Sequence, residues 1–347
     1  MIKPAKLHKG DIIGVISPSW GGPSVFPHIY ENGLKNLRAL GFEVKEFPTA
    51  RGDAKYQYQN PKVRAEDVNA AFADKEVKGI ITSIGGNDSV RILPFLDKKI
   101  IVDNPKFIMG YSDTTVLTTF LNKLGLVTFN GPSIMAGFSQ MEAEGKSFKT
   151  HLKDFLLGDF NDYEYEPYKY YFNNYPDWAD KTNTGKVSEP IEATGWRWLQ
   201  GSMTVEGELF GGCIEVLEFL KGTDYWFDKN LWNGKILFFE TSEDKPTVNQ
   251  VKFMLRNYGT QGAFDKVKAV LFGRARDYSE EEKKELDKTL VNIIGFEFGK
   301  PELLIVSNMD FGHTDPQLIL PLGVRACLDP VSKMFKLTES PFDSPGI

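Results

Sequence analysis

Cysteine and histidine are scarce, with 2 and 4 copies in a chain of 347 residues. Cys213 and Cys327 lie in unrelated contexts, Cys-Ile-Glu-Val-Leu and Val-Arg-Ala-Cys-Leu, and no Cys-x-x-Cys pair occurs. A disulfide scaffold, a zinc ribbon and a dithiol redox motif therefore have no support, and both thiols read as small buried apolar residues. Long hydrophobic runs are missing too. No stretch of 18 apolar residues exists, and the start, Met-Ile-Lys-Pro-Ala-Lys-Leu-His-Lys-Gly, has no apolar leader segment. A cytoplasmic protein with no membrane association is the expectation. Positive charge is in deficit as well: 41 Lys and Arg face 47 Asp and Glu, a net charge of −6. That balance argues against a nucleic-acid partner and against attachment to an anionic lipid surface.

What is present fits an enzyme of small molecules. Apolar residues make up 41% and charged residues 25%, enough for a sizeable core, and the length gives roughly two domains at about 150 residues each. Segments of two periods alternate in the first half. Asp11–Ser17, Glu43–Phe47, Gly79–Ile84, Lys106–Met109 and Leu126–Asn130 read as strands. Residues 26–40, 62–75, 89–96 and 113–123 read as helices between them. Such alternation predicts an α/β fold with a parallel sheet, whose sites lie at the carboxyl ends of the strands. From residue 199 a second series of strands and helices begins, ending in antiparallel β. The expected domains are 1–160, an aromatic-rich connection at 161–198, and 199–347. Nine of the nineteen residues from Phe160 to Trp178 are aromatic. Most of these rings are expected to pack an interface, with a stacking wall for a planar ligand as the sharper alternative.

Gly110-Tyr111-Ser112-Asp113-Thr114 stands between a strand and a helix, where a sharp turn can push a serine Oγ out of the sheet. On local pattern alone an N-cap serine is the commoner explanation of such a sequence. A nucleophilic serine needs a base. His8 lies in the basic N-terminal stretch, while His28 and His151 lie near helix starts, where solvated or capping roles suffice. His313, in Asp310-Phe-Gly-His-Thr after the strand Leu-Leu-Ile-Val, is the best of the four. A carboxylate should orient it, and Glu240 ends the most apolar strand of the second half, where an unpaired charge would be costly. Glu243 and Asp244 fall further into the loop and are expected to be solvated. The paired glycines Gly85-Gly86, followed by Asn87-Asp88, allow backbone N–H groups near Gly86 and at Asp113 to bind an oxyanion. A phosphate-cradling kinase loop is the weaker reading of the same residues, because no P-loop lysine accompanies it. Arg274 and Arg276, after another strand, are candidates for holding a substrate carboxylate or phosphate, with a surface ion pair as the alternative.

Taken together, Gly110-Tyr-Ser-Asp-Thr-Thr, the Gly85-Gly86 turn, Phe239-Glu240 and Asp310-Phe-Gly-His-Thr resemble the LD-carboxypeptidase family of serine peptidases, from Gly10-Asp11 to about Asp329. The resemblance implies a Rossmann-like N-terminal domain, a smaller β-rich α+β C-terminal domain and an active site in the cleft between them. It implies Ser112 as nucleophile, Glu240 and His313 as its partners, an oxyanion hole at Gly86 and Asp113, no metal or other cofactor, and a homodimer. Ile84-Gly-Gly-Asn-Asp-Ser, Gly207-Glu-Leu-Phe-Gly-Gly-Cys and Glu240-Thr-Ser-Glu look most like the microcin C immunity branch. Members of that branch cleave the amide or phosphoramidate link between an aminoacyl group and a modified adenylate. The expected substrate is thus a small peptide-like or aminoacyl-nucleotide molecule, with Asn87, Trp178, Trp196 and Trp198 as candidate contacts. A muropeptide carboxypeptidase is the alternative within the family, and a non-catalytic two-domain ligand-binding protein the alternative outside it.

Overall fold

The computed structural model describes residues 1–160 and 162–343. The expected boundary at residue 161 and the chain end after residue 343 lie outside the described residues. Five strands come from the first part of the chain: β1 (Ile12–Ile16), β2 (Glu43–Glu46), β3 (Val77–Thr82), β4 (Phe107–Gly110) and β5 (Thr128–Asn130). Short strands β6 (Glu164–Tyr165), β7 (Tyr170–Tyr171) and β8 (Ile191–Glu192) follow. The remainder supplies β9 (Arg197–Gln200), β10 (Val205–Cys213), β11 (Lys235–Glu240), β12 (Ala269–Gly273) and β13 (Leu304–Met309). The last three are β14 (Leu320–Leu322), β15 (Arg325–Asp329) and β16 (Met334–Leu337).

Two large sheets result. The first has the order β14-β5-β4-β3-β1-β2, parallel from β5 to β2 with β14 antiparallel at one edge. The second runs β6-β16-β15-β10-β11-β12-β13-β9. Its centre, β10 to β13, is parallel and both flanks are antiparallel. The parallel strands are nearly continuous apolar runs, such as Ile-Ile-Gly-Val-Ile and Ala-Val-Leu-Phe-Gly, because helices cover both faces. Those helices begin where the chain supplies start signals. Pro27 opens Pro27–Ala39, and capping boxes at Thr247/Gln250 and Ser279/Glu282 open Val248–Thr260 and Glu280–Val291. The end of β10 is tied to the helix Thr115–Lys123, where the Cys213 N–H donates to Thr115 Oγ1 at 3.1 Å. The result is the mixed α/β architecture expected from the alternation. No helix among the described residues is long and apolar enough to cross a membrane.

Most of the aromatic segment serves the core. Tyr165 stacks on Phe335 with ring centroids 4.6 Å apart, and Phe160 and Tyr163 pack on Phe155. One sequence expectation is corrected here. His151 lies inside the helix Lys146–Leu157 and is buried, neither solvated nor capping. The aromatic segment that covers it shows no clean period, so its packing could not be foreseen.

Candidate active site

Ser112 follows β4 and opens a 3-10 turn, Ser112–Thr114, that leads into the helix Thr115–Lys123. Its φ is 59°, a left-handed conformation that a non-glycine residue adopts only when its surroundings force it. The turn at Gly85 makes room for it. A Cβ on Gly85 would lie 2.8 Å from Ser112 Cβ and 2.9 Å from its Oγ, so only glycine fits. The Asp113 side chain locks this approach from behind, accepting from Ser19 Oγ (2.5 Å), Asp88 N–H (3.0 Å) and Ser89 N–H (2.8 Å). Burial raises the Asp113 pKa, and these donors oppose the rise. Arg64, fully buried, grips Asp88 with two hydrogen bonds of 2.8 and 2.9 Å. The loop bearing Gly86 is thereby fixed against the serine turn.

The other half of the site comes from the second sheet. Glu240 ends β11 and is fully buried, and its Oε2 accepts from His313 Nδ1 at 2.6 Å. His313 follows β13 on a loop whose Gly312 has φ +99°, and a Cβ there would sit 2.6 Å from Glu240 Cβ. That close packing brings the imidazole onto the carboxylate. The second ring nitrogen, Nε2, lies 2.8 Å from Glu243 Oε2, an ion-pair contact off the N–H axis, and finds no aligned acceptor among the described residues. Burial alone would lower the His313 pKa, but Glu240 and Glu243 outweigh it and push it up to about 10. The Glu243 carboxyl falls to about 2 through its contact with His313. The expectation that Glu243 is merely solvated is therefore corrected. Its partner lies 70 positions further along the chain, and nothing local announced it.

Ser112, His313, Glu243, Arg276, Tyr175 and Trp178 line one cavity of about 400 Å³. Gly86 lines it too, while Asn87 is exposed outside it. Tyr175 stacks on Trp178 at 5.4 Å and 28°, and Phe26 meets Trp178 edge-on at 5.8 Å. The half-buried His28, expected to be solvated or to cap its helix, holds this wall through a 2.9 Å hydrogen bond between Nε2 and Trp178 O. Tyr175 OH donates to Asp315, two residues beyond His313, which ties the wall to the histidine loop. Three candidate contacts lie elsewhere. Arg274 is buried, 2.7 Å from Asp310 Oδ1, with its guanidinium 4.2 Å over the Tyr171 ring. Trp196 donates its indole N–H to the other Asp310 oxygen at 2.7 Å. Trp198 sits on edge strand β9 opposite Val306. For two of the three the reason is a single buried carboxylate, Asp310, that claims Arg274 and Trp196 for itself. Of the two arginines only Arg276 faces the cleft, held by Asp277 at 3.4 Å. No group of three His, Cys, Asp or Glu side chains among the described residues is placed to hold a metal ion.

A larger cavity, about 490 Å³, opens beside His151, Tyr163 and Tyr168. Its histidine is spent, since Nδ1 bonds Tyr163 OH at 2.7 Å and Nε2 accepts from the Ile319 N–H at 3.0 Å. The smaller cavity brings a serine and a carboxylate-supported imidazole to one cleft, with the Gly85-Gly86 turn on its wall.

Residues 13–131 match the LD-carboxypeptidase N-terminal domain and residues 206–328 the LD-carboxypeptidase C-terminal domain. The chain is 30% identical to the Microcin C7 self-immunity protein MccF of Escherichia coli, over 96% of this chain and 95% of that one. It is 28% identical to the "Probable murein peptide carboxypeptidase" of Bacillus subtilis strain 168, over 95% and 92%. Among solved structures, MccF in complex with glutamyl sulfamoyl guanosine superposes with a TM-score of 0.85 at 25% identity, covering 99% of this chain and 100% of that one.

Proposed function

The chain belongs to the LD-carboxypeptidase family of serine peptidases, in its MccF-like branch, and from that premise we propose that it hydrolyses a small aminoacyl-nucleotide of the microcin C type. The observation that carries this reading is that one cleft holds both Ser112, in its strained turn, and a His313 whose Nδ1 is held 2.6 Å from Glu240. Ser112 Oγ attacks the carbonyl carbon of the aminoacyl group while His313 Nε2 takes its proton. Glu240 keeps Nδ1 protonated and stabilises the imidazolium. The Gly86 and Asp113 N–H groups bind the oxyanion. The carbon–nitrogen bond then breaks, His313 returns the proton to the leaving nitrogen, and water releases the acyl group from Ser112. No metal takes part in this scheme.

The ligand assignment rests on the cleft wall and on the relative's ligand. Tyr175 and Trp178 offer a stacking face for a base, and Arg276 a cation for the phosphate or sulfamate beside it. Glutamyl sulfamoyl guanosine, bound by MccF, has both parts. Self-immunity or detoxification in the cytoplasm by a homodimer completes the reading. Turnover of an aminoacyl sulfamoyl adenylate and of a murein tetrapeptide separates it from cell-wall recycling. The adenylate should be the better substrate, and Ser112→Ala should lower kcat on the order of 10³-fold or more. Preference for the tetrapeptide would reverse the substrate assignment, and undiminished activity in the variant would remove Ser112 from its role.

A further inference from the structure

The position of Glu243 is a puzzle for the reaction just described. A base that must accept the Ser112 proton has a carboxylate on each side: Glu240 Oε2 at 2.6 Å from Nδ1 and Glu243 Oε2 at 2.8 Å from Nε2. A carboxylate beside each ring nitrogen favours the doubly protonated imidazolium, which accepts no further proton. The surroundings give little relief. Tyr111 presents its ring 5.0 Å from the imidazole, Asp315 adds negative charge nearby, and Arg276 is the cation closest to Glu243 on the cleft wall. For Nε2 to serve Ser112, the Glu243 charge has to find another partner.

The loop itself is pinned. Ser242 donates its N–H and Oγ to Glu215 at 2.9 and 2.7 Å, Lys245 pairs with Glu282 at 3.0 Å, and Tyr278 OH holds Pro246 O. The Glu243 side chain between these anchors is 54% exposed, so it can swing while the backbone stays. Covalent geometry says what would draw it away. In an aminoacyl substrate the α-nitrogen stands two bonds, about 2.5 Å, from the carbonyl carbon. That carbon must come within about 3.5 Å of Ser112 Oγ, beside His313 Nε2. A free α-ammonium therefore arrives within ion-pair reach of Glu243. An acylated nitrogen arrives at the same place with no charge to offer.

We propose that Glu243 is a specificity-determining residue that selects a free α-ammonium: its carboxylate pairs with His313 in the empty enzyme and transfers to the ammonium on binding, which frees Nε2 for Ser112. The inference rests on the aminoacyl-hydrolase reading above. It couples recognition to activation, since a ligand without the cation leaves the base protonated. Glu243 stays anionic at neutral pH with either partner, as an ordinary carboxylate does, so the exchange moves a charge without a proton.

The test compares two aminoacyl sulfamoyl adenylates that differ only in acetylation of the α-nitrogen, with wild type, Glu243→Gln and Glu243→Ala, as kcat and KM across pH. Wild type should prefer the free amine by about tenfold or more in kcat/KM, since the ion pair and the freed base act together. Both variants should lose that preference to within about threefold through a higher KM for the free amine, and should improve on the acetylated one. Their acidic limb of kcat/KM should move to lower pH, because His313 without Glu243 gives up its proton more readily. An unchanged preference and an unmoved limb in both variants, with both substrates turned over, would overturn the proposal alone. No turnover of either substrate by wild type would bring down the hydrolase reading and the proposal with it.

Discussion

His151 and His313 are both buried, each with its two ring nitrogens contacted, yet their protonation is driven in opposite directions. His151 sits between a tyrosine hydroxyl and a backbone N–H, and burial lowers its pKa to about 3. His313 sits between Glu240 and Glu243 and is pushed up to about 10. Burial therefore does not decide what a histidine does; its partners do. A neutral ring wedged under an aromatic segment is a packing element. A ring backed by a buried carboxylate at the end of a parallel strand is set up to move a proton.

Substituting each ring in turn is the sharpest way to break this contrast. His313→Ala should lower kcat on the order of 10³-fold or more in the folded fraction, and should also lower the melting temperature because it leaves the buried Glu240 carboxylate unpaired. His151→Ala should cost about 2–4 kcal/mol of stability while the folded fraction keeps its kcat. Parallel kinetics and denaturant unfolding on both variants check this, and a catalytic loss in His151→Ala would dissolve the distinction. A smaller effect is expected at the cleft wall. Trp178→Ala should raise KM for an aminoacyl adenylate by about tenfold, the worth of one aromatic stack, with kcat nearly unchanged. A pure kcat loss would mean that the ring positions the catalytic loops instead.

The gentlest probe is pH. A lowered folded-state pKa means that the His151 contribution is intact above its ordinary value of 6.5 and is lost as pH falls toward about 3. His313 is the mirror case: its contribution is intact below 6.5 and is lost as pH rises through about 10. His151→Gln should flatten the acidic fall of unfolding free energy by on the order of 1 kcal/mol and leave the alkaline side as it was. Superimposable acidic curves for variant and wild type would show that other groups control that limb.

Much of this arrangement was legible in the chain, and the illegible parts share a cause. Ser112, Glu240 and His313 could be singled out because each ends or follows an apolar strand, which is where parallel sheets gather their sites. Arg274 and Arg276 stand two residues apart in equivalent sequence surroundings; only Asp310, 36 positions from Arg274, separates the buried one from the one in the cleft. Glu243 was invisible as a partner of His313 for the same reason. His151 lacked a signal because the rings that bury it belong to a segment without periodicity. Local pattern found the strand ends, whereas long-range pairing decided which polar groups around them were free.

The central claim is that Ser112 is the nucleophile and His313 its base. Reaction with a fluorophosphonate, followed by intact-mass and peptide mapping, tests it most directly. The account predicts one phosphonyl adduct, on Ser112, absent from Ser112→Ala and formed on the order of 10²-fold more slowly or worse in His313→Ala. An adduct on another residue, or labelling of Ser112→Ala at the wild-type rate, would contradict it.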